Sequence, residues 1–185
     1  HHAHRPQDVC LPLLGPIGLA QRVKRDRPGA PGAVDQHVDR AELLDYCRRS
    51  AHPVGRLMLH LYGISDGNVL AQSDAICAAL QLANFWQDLS VDRRRGRLYV
   101  PLADAQRFGV AESDLLEGRD SARVRALVGE LVAWARDLMW RGAPLVHRIP
   151  GRAGWELRFI VQGGLRILEH IEQSGFDILR HRPTL

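Results

Sequence analysis

The sequence predicts an all-α protein. From Asp39 onward apolar residues recur at spacings of three and four, no stretch alternates for long with a period of two, and one long segment near the middle is apolar nearly all round. A helix apolar on every side belongs at the centre of a bundle, with amphipathic helices packed around it. The 185 residues, 45% of them hydrophobic, suffice for one domain with a substantial core.

Residues 1–38 stand apart. Five of the ten prolines fall between Pro6 and Pro31, with Gly15, Gly18, Gly29 and Gly32 among them. Proline lacks the donor N–H and glycine costs backbone entropy, so an irregular segment is expected over 1–38 and a helical domain over 39–185. Asp39 is placed to cap a helix over 40–50. Pro53 is expected to interrupt it, leaving His52 non-helical, and Gly55–Leu61 resumes the helix up to Gly63. The central helix is expected over Asn68–Asp92, between Asp66-Gly67 and Gly96. Arg97–Pro101 reads as an extended connector. Two short helices follow, Leu102–Arg107 closed by Gly109 and Glu112–Leu116 closed by Gly118. Ser121 caps an amphipathic helix to about Trp140, where Gly142 and Pro144 stop it. A last helix runs from about Ala153 to Gln173 and stops at Gly175.

The net charge is +4. A basic balance suits nucleic acid, an anionic membrane surface or a phosphorylated substrate. The basic residues are spread out, Arg93-Arg94-Arg95 and Arg97 excepted, and no aromatic-rich strand module accompanies them, which speaks against nucleic acid. Cys10, Cys47 and Cys77 are far apart and odd in number, so they read as the reduced thiols of a cytoplasmic protein. Cys47 reads as buried packing.

The chemistry concentrates in Gln81-Leu-Ala-Asn84-Phe85-Trp86-Gln87-Asp88-Leu-Ser-Val-Asp92. At about 100° per residue, Gln81, Asn84, Asp88 and Asp92 share an arc of roughly 80° on a helix that is otherwise apolar. Burying carboxylates is costly unless a cation compensates them, and carboxylate and amide oxygens suit Mg²⁺ rather than zinc. The same residues also read as a solvated helix end, with Asp92 paired to an arginine of 93–97. Phe85 lies about 60° from Asp88, placed either to face a cation or to serve as core, and Trp86 points further away, into packing.

Three stretches together carry a family resemblance. Gln81 to Pro101, as Q-L-x-N-F-W-Q-D-x-x-x-D-x-x-x-G-R-x-Y-x-P, resembles the second aspartate-rich motif of squalene/phytoene synthases. Tyr46-Cys47 to Val54-Gly55 resembles their Y-C-x-x-x-A-x-x-V-G motif, and Glu156–Leu185 their last helix and tail. The resemblance spans Val38 to Leu185. It implies part of an isoprenoid-synthase-type helical bundle holding Mg²⁺ and a diphosphate. Within the family, Asn84-Phe-Trp-Gln-Asp88 is similar to the hopanoid-pathway branch that converts presqualene diphosphate to hydroxysqualene. Phytoene and dehydrosqualene synthases commonly read N-I-L-R-D there, so Gln87 stands in place of an arginine, and Gly164 aligns with a late-helix tyrosine.

The resemblance implies that Asp88 and Asp92 hold the metal with Asn84, that Gln81 and Asn84 support the substrate, and that Tyr46 and Phe85 lie near the cation path. Arg97 reads as a diphosphate donor, since a guanidinium makes bidentate contacts, and equally as an exposed helix-end arginine; Arg93–Arg95 read as solvated. The implied partner is an isoprenoid diphosphate, presqualene diphosphate in this branch, handled in the cytoplasm with peripheral contact at the inner face of a membrane and without nucleic acid. The family's first aspartate-rich motif has no counterpart before Tyr46, so an upstream truncation or frame disruption is expected, and with it little turnover from this chain. Two alternatives stay open, a head-to-head prenyltransferase of the phytoene or squalene synthase type and an inactive helical-bundle interaction protein.

Overall fold

Asp39 starts the first helix as expected. Its carboxylate accepts from the Glu42 amide at 2.7 Å, and the Glu42 carboxylate accepts from the Asp39 amide at 3.1 Å, a reciprocal capping box that opens α1, Arg40–Ser50. The computed structural model describes residues 38–183, so of the expected irregular segment only Val38 is seen, and Cys10 lies outside the described residues. All described residues belong to one unit, Gln36–Leu185.

The second helix corrects an expectation. His52 and Pro53 are both helical, in α2, His52–Leu61. The break falls instead at Ala51, which keeps right-handed helical dihedrals. Proline is harmless in a helix's first turn, where its missing N–H has no partner to lose. Pro53 therefore begins a helix rather than interrupting one. Gly63, at φ 69°, follows its end, as expected.

The central helix is α3, Gly67–Gln87, capped by Asp66, whose carboxylate accepts from the Asn68 and Val69 amides. It stops five residues before the expected Asp92. Asp88 sits at φ −92°, ψ 3°, and a single turn, α4, Leu89–Asp92, follows. A 3₁₀ turn, Arg93–Arg95, ends at Gly96 with φ 65°. Residues 97–101 are irregular. The remaining helices are α5, Leu102–Arg107; α6, Glu112–Glu117; α7, Ala122–Gly142, capped by Ser121; and α8, Gly151–Gln173. A 3₁₀ turn, Ala143–His147, joins the last two. The described residues contain no strand, and the fold is all-helical as predicted.

Helix α3 packs chiefly on α7, with α2 and α8 beside it. Leu82 and Trp86 of α3 and Leu127, Leu131 and Met139 of α7 are fully buried. Each such aliphatic side chain contributes about 1.5–3 kcal/mol. Gly55 lets α2 come close: a Cβ there would stand 2.4 Å from Ser73 Oγ and 2.7 Å from Cys77 Sγ. Cys47 is buried packing, its thiol pushed up to about 12 chiefly by burial. The outer face of α2 presents Val54, Leu57, Met58 and Leu61 to solvent. Among the described residues no helix is long and apolar enough to cross a membrane.

One ionic network ties α1, α5 and α7 together. Arg40 donates to Asp104 at 2.6 Å and to Glu130 at 3.0 Å, and its guanidinium lies 4.7 Å from the Trp134 ring centre. Asp104 is buried. Asp104→Ala is expected to cost about 2 kcal/mol in urea unfolding, because it leaves a charged, half-buried donor short of a partner.

His52 gives a pH dependence. Its ring nitrogens are buried without a hydrogen-bond partner, and Nδ1 is 3.5 Å from Asp74. Burial holds its pKa below the usual 6.5, and Asp74 offsets only part of this. Below about 6.5 the unfolded chain takes up a proton that the folded state resists, so stability present above that pH is lost as pH falls. Between pH 7.5 and pH 5.5 the melting temperature of wild type is expected to fall more steeply than that of His52→Gln.

Candidate active site

The polar stripe of α3 is real but bent at its end. Core positions Leu82, Ala83, Phe85 and Trp86 are buried, whereas Gln81, Asn84, Gln87 and Asp88 are half-buried along the flank. The break at Asp88 does not scatter the stripe. The Asp88 amide still donates to the Asn84 carbonyl at 2.9 Å, and the Asp92 amide donates to the Asp88 carbonyl at 2.9 Å. Asp92 thus remains one turn beyond Asp88. Gln81 lies two turns back, about 10 Å along the axis, and Asn84 about 6 Å back.

Two carboxylates end this stripe one turn apart. Burial first, and then the neighbouring Asp88 carboxylate, hold the Asp92 pKa above its ordinary value; Arg97 and Arg95 work in the other direction. The Arg97 amide donates to the Asp92 carbonyl at 2.9 Å, which fixes that arginine's backbone beside the carboxylates.

An aromatic stack adjoins them. Phe85 is buried and lies nearly parallel to Tyr99, with ring centres 4.2 Å apart; Tyr46 of α1 is tilted against Phe85, with ring centres 5.6 Å apart. Burial raises the pKa of both tyrosines, and for Tyr99 the Asp92 charge adds to the effect. Tyr99 has no role in the sequence reading, although it lies inside the G-R-x-Y-x-P part of the motif. Trp86 turns away to pack near Trp134, as expected, with ring centres 6.4 Å apart.

The chain's last described residues also reach this site. Gly175 and Phe176 both have positive φ, 64° and 63°, and reverse the chain after α8. Ile178 and Leu179 are then buried. Arg182 Nε donates to Asp88 Oδ1 at 2.5 Å, and the Gln87 side-chain amide donates to the Pro183 carbonyl at 2.8 Å. Arg93, read from sequence as solvated, is instead structural: it donates to the carbonyls of Leu179 at 2.7 Å and Leu116 at 3.2 Å. Arg94 and Arg95 are exposed, as expected. No local spacing marks Arg182 or Arg93, because their partners lie far away in sequence.

The structure therefore brings Asp88, Asp92, Arg97, Phe85 and Tyr46 into one region, with Asn84 and Gln81 leading up to it. Its donors are hard oxygens, and the two aspartates repel one another, so a divalent cation such as Mg²⁺ fits the pair. Among the described residues no three His, Cys, Asp or Glu side chains gather as a metal-holding group. Two carboxylates suit Mg²⁺, which usually takes one or two and completes its shell with water and phosphate. Gly164 is buried against α3 and α7: a Cβ would meet Met139 Cε at 2.6 Å and Leu80 Cδ2 at 2.8 Å. A tyrosine in its place would displace both side chains.

Comparison with known proteins agrees with this architecture. The squalene/phytoene synthase family model matches residues 18–185, a range that takes in part of the Pro/Gly-rich segment. A phytoene synthase from Thermus thermophilus is 38% identical over 78% of this chain and 50% of its own length. A hydroxysqualene synthase from Rhodopseudomonas palustris is 36% identical over 74% of this chain and 47% of its own length. The crystal structure of squalene synthase HpnC from Alicyclobacillus acidocaldarius matches with a TM-score of 0.75 and 36% identity, covering 84% of this chain and 56% of that one. The chain spans about half the length of the curated relatives it matches.

Proposed function

Because the chain belongs to the squalene/phytoene synthase family, whose members are isoprenoid-forming enzymes, we propose that it serves the Mg²⁺-dependent ionisation of presqualene diphosphate, with water capture to hydroxysqualene. The observation that carries this is that Asp88 and Asp92 stand one turn apart at the end of the central helix, beside Arg97 and an aromatic stack. In this reading Asp88, Asp92 and Asn84 hold the metal, and Arg97 and Gln81 serve the diphosphate. Bound Mg²⁺ would supply Lewis-acid stabilisation of the departing diphosphate. The protein's own part is orientation and shielding. Tyr46 and Phe85 offer ring faces where positive charge develops.

A hydrocarbon track also suits the substrate. Tyr46, Ser50, Val54 and Met58 recur every four residues, and Ala51 keeps helical dihedrals, so the Tyr46 stripe continues from α1 onto α2. There it becomes exposed apolar surface, with Val54, Leu57, Met58 and Leu61.

The hydroxysqualene branch is supported by Gln87, Gly164 and the similarity to hydroxysqualene synthases at 32% and 36% identity. An uncharged Gln87 ties the tail at Pro183, where an arginine would set a second charge beside Asp88. The second reading, head-to-head coupling of two prenyl diphosphates, is favoured by the 38% identity to a phytoene synthase. Retention of both aspartates weighs against an inactive interaction protein.

Presqualene diphosphate with Mg²⁺ is expected to raise the melting temperature, and chelation to reverse the shift. Hydroxysqualene as product supports the branch. A C30 or C40 hydrocarbon made from two prenyl diphosphates replaces it with the second reading. Protection by nucleic acid, with none by the diphosphate, rejects both.

A further inference from the structure

Resting on the reading that Asp88 holds a divalent cation, we propose that Arg182 is an intramolecular counter-cation that occupies Asp88 until the metal arrives, and that residues 178–183 form the latch presenting it. The Arg182 guanidinium meets the carboxylate at 2.5 Å, where a metal ion would otherwise compensate its charge.

The latch has a firm base and a weak tip, which is what a displaceable contact requires. At the base, Ile178 and Leu179 are each 1% exposed, and the Leu179 carbonyl accepts from Arg93. The guanidinium of Arg93 also fills the space beside Gly118, 2.5 Å from where a Cβ would stand. The positive φ of Gly175 and Phe176 aims the segment back along the bundle, and the Phe176 ring lies 3.5 Å from the position of a Cβ on Gly129 in α7. At the tip, the Arg182 side chain is 51% exposed. Half-exposed ion pairs contribute little net stability, since water screens them and the long side chain must be held in place. Arg182 can therefore surrender Asp88 without loss of the buried base. Gln87 and Asp88 are consecutive, and each holds a consecutive residue of the tail, so the hold is on the segment and not on one side chain.

The latch keeps the carboxylate pair from standing uncompensated without metal. It also makes metal affinity depend on the residue at 182, since the cation must displace a charge of the same sign. Arg95 serves as a control. It lies close enough to act on Asp92 through the electric field, yet it is exposed and does not bond to Asp88.

The test is Mn²⁺ binding to the whole 185-residue chain, read as free Mn²⁺ by electron paramagnetic resonance, for wild type, Arg182→Gln, Arg95→Gln and Asp88→Asn. Arg182→Gln is expected to bind about threefold to fivefold more tightly than wild type, and Arg95→Gln to stay within about twofold. Hydrogen exchange by mass spectrometry on wild type should show the amides of residues 180–182 exchanging faster with Mn²⁺ bound, while those of Ile178 and Leu179 do not change. Affinity in Arg182→Gln that is unchanged or weaker, with Asp88→Asn still impaired, overturns the latch and leaves the metal reading standing. An equal gain in Arg95→Gln reduces the effect to the general field and also overturns it. Equal Mn²⁺ binding by Asp88→Asn and wild type removes the metal reading and the latch together.

Discussion

In a version of the protein extended to the full length of its relatives, an Asp88→Asn variant is expected to lose two to three orders of magnitude in Mg²⁺-dependent release of diphosphate from presqualene diphosphate, while its unfolding free energy changes by less than about 1 kcal/mol. The two numbers separate because the carboxylate does two different jobs. Structurally it accepts one bond from a half-exposed Arg182, and its backbone amide and carbonyl carry the turn whatever the side chain is. Chemically, in the proposed reading, it is one of the two carboxylates that would attract the metal. An amide keeps the shape and loses the charge, so the leaving group departs without that electrostatic help. Turnover and urea denaturation on the same preparation check both parts. Normal turnover in Asp88→Asn would show that this carboxylate does not hold the metal.

Gly142→Ala is expected to destabilise the chain by about 3 kcal/mol, a loss of roughly 6–12 °C in melting temperature. An added Cβ would stand 2.6 Å from the Gln72 carbonyl oxygen and 2.9 Å from the Ile76 amide nitrogen, both in the backbone of α3, as well as 2.5 Å from Ile76 Cγ1. A side chain can rotate away from such a clash, but a helix backbone cannot. The whole α3–α7 contact, the largest in the fold, would have to open. Gly163→Ala is the matched control. It lies inside α8 with nothing within 4 Å of its Cβ position, so alanine should stabilise by about 0.5–1 kcal/mol through helix propensity. Calorimetric melting of the two variants should therefore move in opposite directions.

Features that depend on neighbours in the chain were legible in the sequence. Asp39 and Ser121 cap the helices they were expected to cap, and Asp66 caps the central helix it was expected to bound, because each accepts from amides two or three residues away. The stripe of Gln81, Asn84 and Asp88 follows from helical spacing, and the all-round apolar α3 is central because no face of it suits water. The errors were local as well. Pro53 is compatible with either a break or a helix start, and periodicity does not register a change of ψ at one residue, Asp88, that keeps both flanking hydrogen bonds.

Tertiary structure alone decided the rest. Arg182 meets Asp88 across 94 residues of sequence and Arg93 meets Leu179 across 86, separations over which no period or spacing carries information. Both contacts depend on a chain reversal at Phe176, in a backbone region that residues other than glycine seldom adopt. The near contact of Gly142 with α3 and the stacking of Tyr99 on Phe85 likewise exist only once the helices have packed. Sequence determined which groups of chemistry this chain carries and on which helix face. Packing determined which of them meet, because long-range partners are selected by shape and burial.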